Sequence, residues 1–103
     1  MKSIEGQVAI VTGASSGIGR GIALELARAG VTTVAAARSA DKLETLAAEI
    51  AADGGTCIAV PTDVTQEDQI LRLFRTTIEK AGRLDLVVNN AGIADATPTE
   101  DLS

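Results

Sequence analysis

Histidine, tryptophan and tyrosine are absent from these 103 residues, and Phe74 is the single aromatic. Without histidine the chain lacks the commonest metal ligand and the commonest side chain that exchanges a proton near neutral pH. No metal site is assigned. One aromatic cannot form a stacking platform for bases. The charge balance points the same way, with nine Lys and Arg against fourteen Asp and Glu, a net charge of −5 and no basic cluster. Nucleic acid is therefore not an expected partner. Cysteine is limited to Cys57, so no internal disulfide can form. Its apolar neighbours Ile58, Ala59 and Val60 mark it as a buried strand thiol. Met1–Gly6 carries no apolar run of the signal-peptide kind, and no stretch approaches a membrane span. A cytoplasmic protein without a membrane partner is expected. The length fits one domain over residues 1–103, with a thin stability margin.

What the chain has in quantity is small aliphatic residues and ten glycines, suited to helices packed closely on a sheet. Four short apolar runs alternate with three helical patterns. The first run, Val8–Val11, is continuous, as expected of a parallel strand buried on both faces. Ile18, Ile22, Leu26 and Ala29 then mark a predicted inner helix face, stopped at Gly30. A second run, Thr32–Ala37, ends at Arg38. Ser39 caps the next predicted helix, whose inner face reads Leu43, Leu46, Ala47 and Ile50 before Asp53-Gly54-Gly55. The third run is Thr56–Pro61. Thr65 and Asp68 resemble a capping box, and Ile70, Leu71, Phe74, Ile78 and Ala81 continue at helical spacing to Gly82. The fourth run is Leu84–Asn89. This βαβαβαβ alternation predicts an α/β fold, a three-layer αβα Rossmann-like half-sheet with four parallel strands and three helices. Strand order 3-2-1-4 leads, and a flavodoxin-like 2-1-3-4 is the alternative.

The chemistry sits in Thr12-Gly13-Ala14-Ser15-Ser16-Gly17-Ile18-Gly19, between the first strand and the first helix. Gly13 allows a tight turn, Gly17 lets backbone approach a phosphate, and Gly19 lets helix pack closely on strand. Unpaired N–H groups and the positive end of the helix dipole attract an anion. Ser15 and Ser16 can add hydroxyl donors. The spacing is G-x3-G-x-G rather than the commoner G-x-G-x-x-G, so the context of strand, loop and helix carries the assignment.

That octapeptide, together with Asn89-Asn90-Ala91-Gly92 and the pair Asp63-Val64 after the third strand, resembles the short-chain dehydrogenase/reductase family across essentially the whole chain. By that resemblance Asp63 and Val64 flank an adenine, while Ile18, Asn90, Ala91 and Gly92 line the nicotinamide-ribose side. Asn and Gly also end strands in turns for their own reasons, and one of the asparagines can tie strands together while the backbone beyond it meets the cofactor. An acidic residue at the end of the second strand would bind the ribose 2′-hydroxyl of NAD. Ala37 stands there instead, followed by Arg38, whose guanidinium can pair with the 2′-phosphate of NADP. NADP(H) is the expected cofactor, with NAD(H) the alternative, and Arg38 as a solvated residue opening a surface helix is the competing reading. Arg20 is read as a surface residue.

Family members resembling this chain move hydride with a Tyr-x3-Lys pair, a Ser and an Asn, all beyond the counterpart of Ser103. This sequence has no tyrosine, so no catalytic residue is assigned. Three functional readings follow: the cofactor-binding portion of a carbonyl reductase or alcohol dehydrogenase, a dinucleotide binder without chemistry, or a half-fold that dimerises through its fourth strand.

Overall fold

The computed structural model describes residues 4–90 as seven alternating elements: β1 (Val8–Thr12), α1 (Gly17–Arg28), β2 (Thr32–Ala37), α2 (Ala40–Ala52), β3 (Cys57–Pro61), α3 (Glu67–Ala81) and β4 (Leu86–Asn89). All strand pairs are parallel, in the order β3-β2-β1-β4. That order is the Rossmann-type one; the flavodoxin-like alternative is excluded. Ile10 stands level with Val34 and Val87, and Val11 with Ala35 and Val88. Because side chains alternate across a strand, these two rows face opposite sides of the sheet.

The two faces are packed differently. One carries Val11, Ala35 and Ala37 against α1 and α2, through Ala23, Ala27, Leu43, Leu46 and Ile50. Its alanines give the helices room to come close. The other face is fuller, with Val8, Ile10, Val34, Ala36 and Val60, and α3 meets it through Leu73. A three-layer αβα arrangement results.

The inner faces of two helices differ from the sequence expectation. In α1 the buried stripe is Gly19, Ala23 and Ala27, one position on from the predicted Ile18, Ile22 and Leu26. Ile18 is 70% exposed, and Ile22 and Leu26 flank the contact half-buried. Close approach of helix and sheet rewards small residues, so the larger ones are displaced to the sides. In α3 the residues fully covered are Leu73 and Thr77. The Thr77 hydroxyl donates to the Leu73 carbonyl at 2.9 Å, which satisfies it inside the core. The predicted stripe lies beside this contact, leaving Leu71 57% and Ile78 50% exposed and Phe74 at the rim. Leu86 and Val87 of the edge strand β4 are exposed as well.

Helix ends follow local chemistry. Ser39 caps α2 by accepting from the Lys42 N–H, and Gly82 ends α3 at φ +80°, a left-handed conformation that glycine adopts without strain. The expected Thr65–Asp68 capping box does not form. Gln66 is the N-cap residue of α3, without a side-chain capping bond. Thr65 is taken up instead by Asp63, as described below. Arg20 pairs with Glu49 and Arg28 with Asp53, joining α1 to α2 at the surface. Such exposed pairs contribute little to stability.

β4 is fastened to β1 by Asp85. The Val8 N–H donates to Asp85 Oδ2 at 2.8 Å, and the Asp85 N–H donates to the Val8 carbonyl at 2.9 Å. Arg83 grips both carboxylate oxygens, at 2.8 and 2.9 Å. The Arg83 bonds, followed by the Val8 N–H, hold the Asp85 carboxyl below the usual carboxylate range. A carboxylate whose pKa is depressed by folding stabilises the fold above its unfolded pKa and loses that contribution as pH falls through the folded value. Asp85→Asn is therefore expected to lower the melting temperature at neutral pH and to flatten its decline below about pH 4. Thermal melts of both proteins over that range check this; parallel curves would remove Asp85 from the acid response.

Candidate functional site

In a parallel sheet all carboxyl ends lie on one edge, and the predicted site residues gather there. Gly13 follows Thr12 of β1, Arg38 follows Ala37 of β2, Asp63 lies two residues beyond Pro61 of β3, and Asn90 follows Asn89 of β4. Ala91 and Gly92 lie outside the described residues. The site thus straddles β1, where successive connections leave in opposite directions along the sheet. Such a crevice is where open α/β sheets bind ligands.

The glycine loop is built around one oxygen, the Gly13 carbonyl. It accepts from the Ser16 N–H at 3.3 Å, the Ser16 hydroxyl at 3.0 Å and the Asn90 amide at 3.4 Å. Gly13 itself is held at φ +65°, where a side chain would be strained. Ala14 turns into the core, fully buried, and its N–H donates to the Ala36 carbonyl of β2 at 3.2 Å. Ser15 is half-buried and Ser16 exposed. No side chain caps the start of α1, because the Ser16 hydroxyl is engaged with Gly13. The first-turn N–H groups of such a helix are left for water or an anion. Ser16 would have to rotate to donate to a phosphate, and Ile18 stands exposed in the same first turn.

The three glycines carry different constraints. A Cβ on Gly19 would lie 2.2 Å from the Gly13 carbonyl oxygen and 2.8 Å from the Asn90 amide nitrogen, an impossible overlap. A Cβ on Gly17 would meet no atom of the described residues within 4 Å. The fold itself therefore demands glycine at 13 and 19 and makes no such demand at 17.

β4 closes the site through polar side chains. The Thr12 hydroxyl lies 3.1 Å from Asn89 Oδ1 and 3.3 Å from the Val88 carbonyl, and Asn90 is buried against Gly13. Both asparagines thus fasten the end of β4 to β1 and to the glycine loop. Below this edge, Ile10, Thr12, Val64, Ile70, Leu73, Phe74, Val87 and Asn89 line a mostly apolar cavity of about 330 Å³ between α3 and the sheet.

On the other side, the Asp63 Oδ1 accepts from the Thr65 hydroxyl at 2.6 Å and from the Thr65 N–H at 2.9 Å. These bonds, and to a smaller extent the charge of Arg38, hold the Asp63 carboxyl below its ordinary value despite an opposing effect of burial. Arg38 is exposed and lies within electrostatic reach of this carboxylate. Cys57 is half-buried on β3, and burial pushes its thiol up to about 11, which leaves it protonated and unreactive. The sequence reading passed over Asp85, whose bond to Val8 spans 77 residues, and Gln69, whose bond to the Asp63 N–H spans six and reaches past the N-cap position where a capping pattern is sought.

The chain matches the family described as short chain dehydrogenase over residues 7–103, and it belongs to that family. Members bind nicotinamide dinucleotides. It is 40% identical over 103 residues to the hydroxynaphthalene reductase-like protein Arp2 of Metarhizium acridum, covering 99% of this chain and 39% of that protein. A metagenomic short-chain oxidoreductase solved with NADP superposes with a TM-score of 0.78 at 38% identity, over 84% of this chain and 39% of that one. A 7α-hydroxysteroid dehydrogenase solved with NADH and 7-oxo glycochenodeoxycholic acid gives 0.82 at 37% identity, over 84% and 34%. The chain thus spans roughly two fifths of the length of the fungal relative.

The glycines separate fold from function. Gly19→Ala is expected to cost about 1–3 kcal/mol or more through overpacking. Gly17→Ala should leave stability unchanged or raise it by up to about 1 kcal/mol, since alanine favours helix over glycine. Urea denaturation midpoints measure both, and equal losses would contradict the contact geometry.

Proposed function

We propose that residues 1–103 form one domain that holds NADP(H) across the carboxyl ends of its strands, as the cofactor-binding portion of a carbonyl reductase or alcohol dehydrogenase. The observation that carries this reading is Gly17. Glycine there is not required by any contact among the described residues, and it opens a helix without a capping side chain. A backbone left bare where N–H groups converge suits a pyrophosphate.

The residues present fit such a cofactor in their donor set. The loop from Gly13 to Gly19, with Ser15 and Ser16, would take the pyrophosphate. Asp63 and Val64 would flank the adenine, and Ile18 and Asn90, with Ala91 and Gly92, the nicotinamide ribose. Arg38 would pair with the 2′-phosphate, and no carboxylate takes its place at the end of β2. Asp63, held ionised nearby, tempers that positive charge without occupying the same position. Bound, the nicotinamide supplies a hydride to a carbonyl carbon or accepts one from an alcohol. This chain's own residues would bind and orient it. With neither tyrosine nor histidine in the sequence, protonation of the substrate oxygen falls to groups outside these 103 residues.

Titration of the chain with NADPH and NADH tests this. Saturable binding that favours NADPH is expected. Arg38→Ala should weaken NADPH by roughly ten- to a hundredfold, the worth of a charge-assisted hydrogen bond, and leave NADH nearly unchanged. No oxidation of NADPH by added carbonyl compounds is expected from the chain alone. Equal affinity for both nucleotides, insensitive to Arg38→Ala, would return Arg38 to the role of a solvated surface residue.

A second reading rests on the exposed Leu71, Phe74 and Ile78 of α3 and on Val87, which stands on the face of β4 that shares a cavity with Phe74. A second copy of the chain, or the remainder of a longer reductase, would cover them. Light scattering should then give a dimer mass that Phe74→Asp reduces to the monomer. A wild-type monomer at high concentration would speak against self-association.

A further inference from the structure

The turn that carries Asp63 and Val64 is held from α3 by a side chain no motif singles out. Gln69 occupies the third position of α3, and its Oε1 accepts from the Asp63 N–H at 2.7 Å. An N3 glutamine normally reaches back to the N-cap residue, here Gln66. This one reaches three residues further, past the whole turn. Inside the span, the Asp63 carboxylate holds both the N–H and the hydroxyl of Thr65, and the Gln66 N–H donates to the Asp63 carbonyl at 3.0 Å. The start of the turn is therefore fixed from the helix, and its interior by Asp63 itself. At the sheet end, the Thr62 N–H donates to the Ala37 carbonyl at 2.8 Å, so the same segment is anchored to the residue before Arg38.

The consequence lies in what is left over. With its own N–H taken by Gln69 and one carboxylate oxygen by Thr65, Asp63 keeps Oδ2 outside these bonds, and Val64 between them keeps its backbone in a set direction. An adenine edge presents an amino donor beside a ring-nitrogen acceptor. A carboxylate oxygen next to a main-chain N–H is the complementary pair, provided that the two do not drift apart. We infer that Gln69 is a positioning residue for the adenine end of the cofactor site, acting through the Asp63 N–H without touching the ligand. The inference rests on the reading of this edge as a dinucleotide site and adds to it a determinant on α3.

NADPH titrated into the wild-type chain and into Gln69→Ala and Gln69→Glu, followed by fluorescence and by the amide NMR signals of Gly17 and Val64, tests the idea. Alanine removes the acceptor while favouring helix, and glutamate keeps an acceptor oxygen at the same reach. Gln69→Ala should raise the dissociation constant about five- to tenfold, the worth of one hydrogen bond. Gln69→Glu should recover most of that loss. In saturated Gln69→Ala the Gly17 signal should still shift as in wild type, while the Val64 shift shrinks. Wild-type affinity in Gln69→Ala would overturn the inference, as would an equal loss of both shifts, which marks general unfolding. Failure of the wild-type chain to bind NADPH would instead remove the site itself, and the inference with it.

Discussion

Everything at the functional edge depends on how closely α1 crosses the end of β1. At Gly19 the helix passes the Gly13 carbonyl with room for a hydrogen atom and nothing larger. That approach fixes the direction of the helix relative to the strand. Its N-terminus is then brought to the row of carboxyl ends, where a dipole and a turn of N–H groups can act on an anion. The same carbonyl is bound by Ser16 and Asn90, so the loop, the helix start and the end of β4 converge on one atom. A side chain at position 19 would separate all three at once. The alanines of the sheet face beneath extend the same logic, for a helix seated this low leaves little space between itself and β2.

The strands and their order were largely legible in the residues. β2 runs over Thr32–Ala37 as read, β3 begins one residue later than read, and β4 two later, at Leu86. Continuous apolar runs between glycines leave little choice in an alternating α/β pattern. The helix faces were less legible. Ranking positions by apolar size picks Ile18 and Ile22, whereas close packing selects Gly19 and Ala23, and nothing in the local pattern gives the distance between layers. Thr77 was missed because a hydroxyl is scored as polar, although its own helix accepts the proton. The glycine loop was legible because its chemistry is local, whereas Asn90, which bonds Gly13 across 77 residues, was singled out through the resemblance carried by Asn89-Asn90-Ala91-Gly92. Asp85 was not legible, since it bonds a main-chain N–H 77 residues away, and Gln69 was not, since it passes over the N-cap residue to reach the Asp63 N–H.

The two faces of the sheet differ in what they ask of the chain. On the α1 and α2 side, two helices cover the strands and leave Val11, Ala35, Leu43 and Leu46 fully buried. On the other, α3 is the one helix among the described residues that covers the strands, and the cavity beside it extends to Val87 and Asn89 of β4. β4 is consequently held more by polar bonds than by packing, through Asp85 at one end and Thr12 with Asn89 and Asn90 at the other. The strand least embedded in the core is the one that completes the edge where the candidate site residues gather.

The pairing of β4 with β1 also bears on how the chain reaches this arrangement. Val8 meets Asp85 across 77 residues of sequence, whereas β1 and β2 are joined through a single intervening helix. Closing the longer loop carries a larger entropic cost and tends to come late. As the chain is synthesised, β1, α1 and β2 can assemble early, while the far edge of β1 waits for nearly the whole described chain. During that interval an apolar strand stands open on one side, and the last strand to join completes the pocket and closes that edge of β1 to stray pairing.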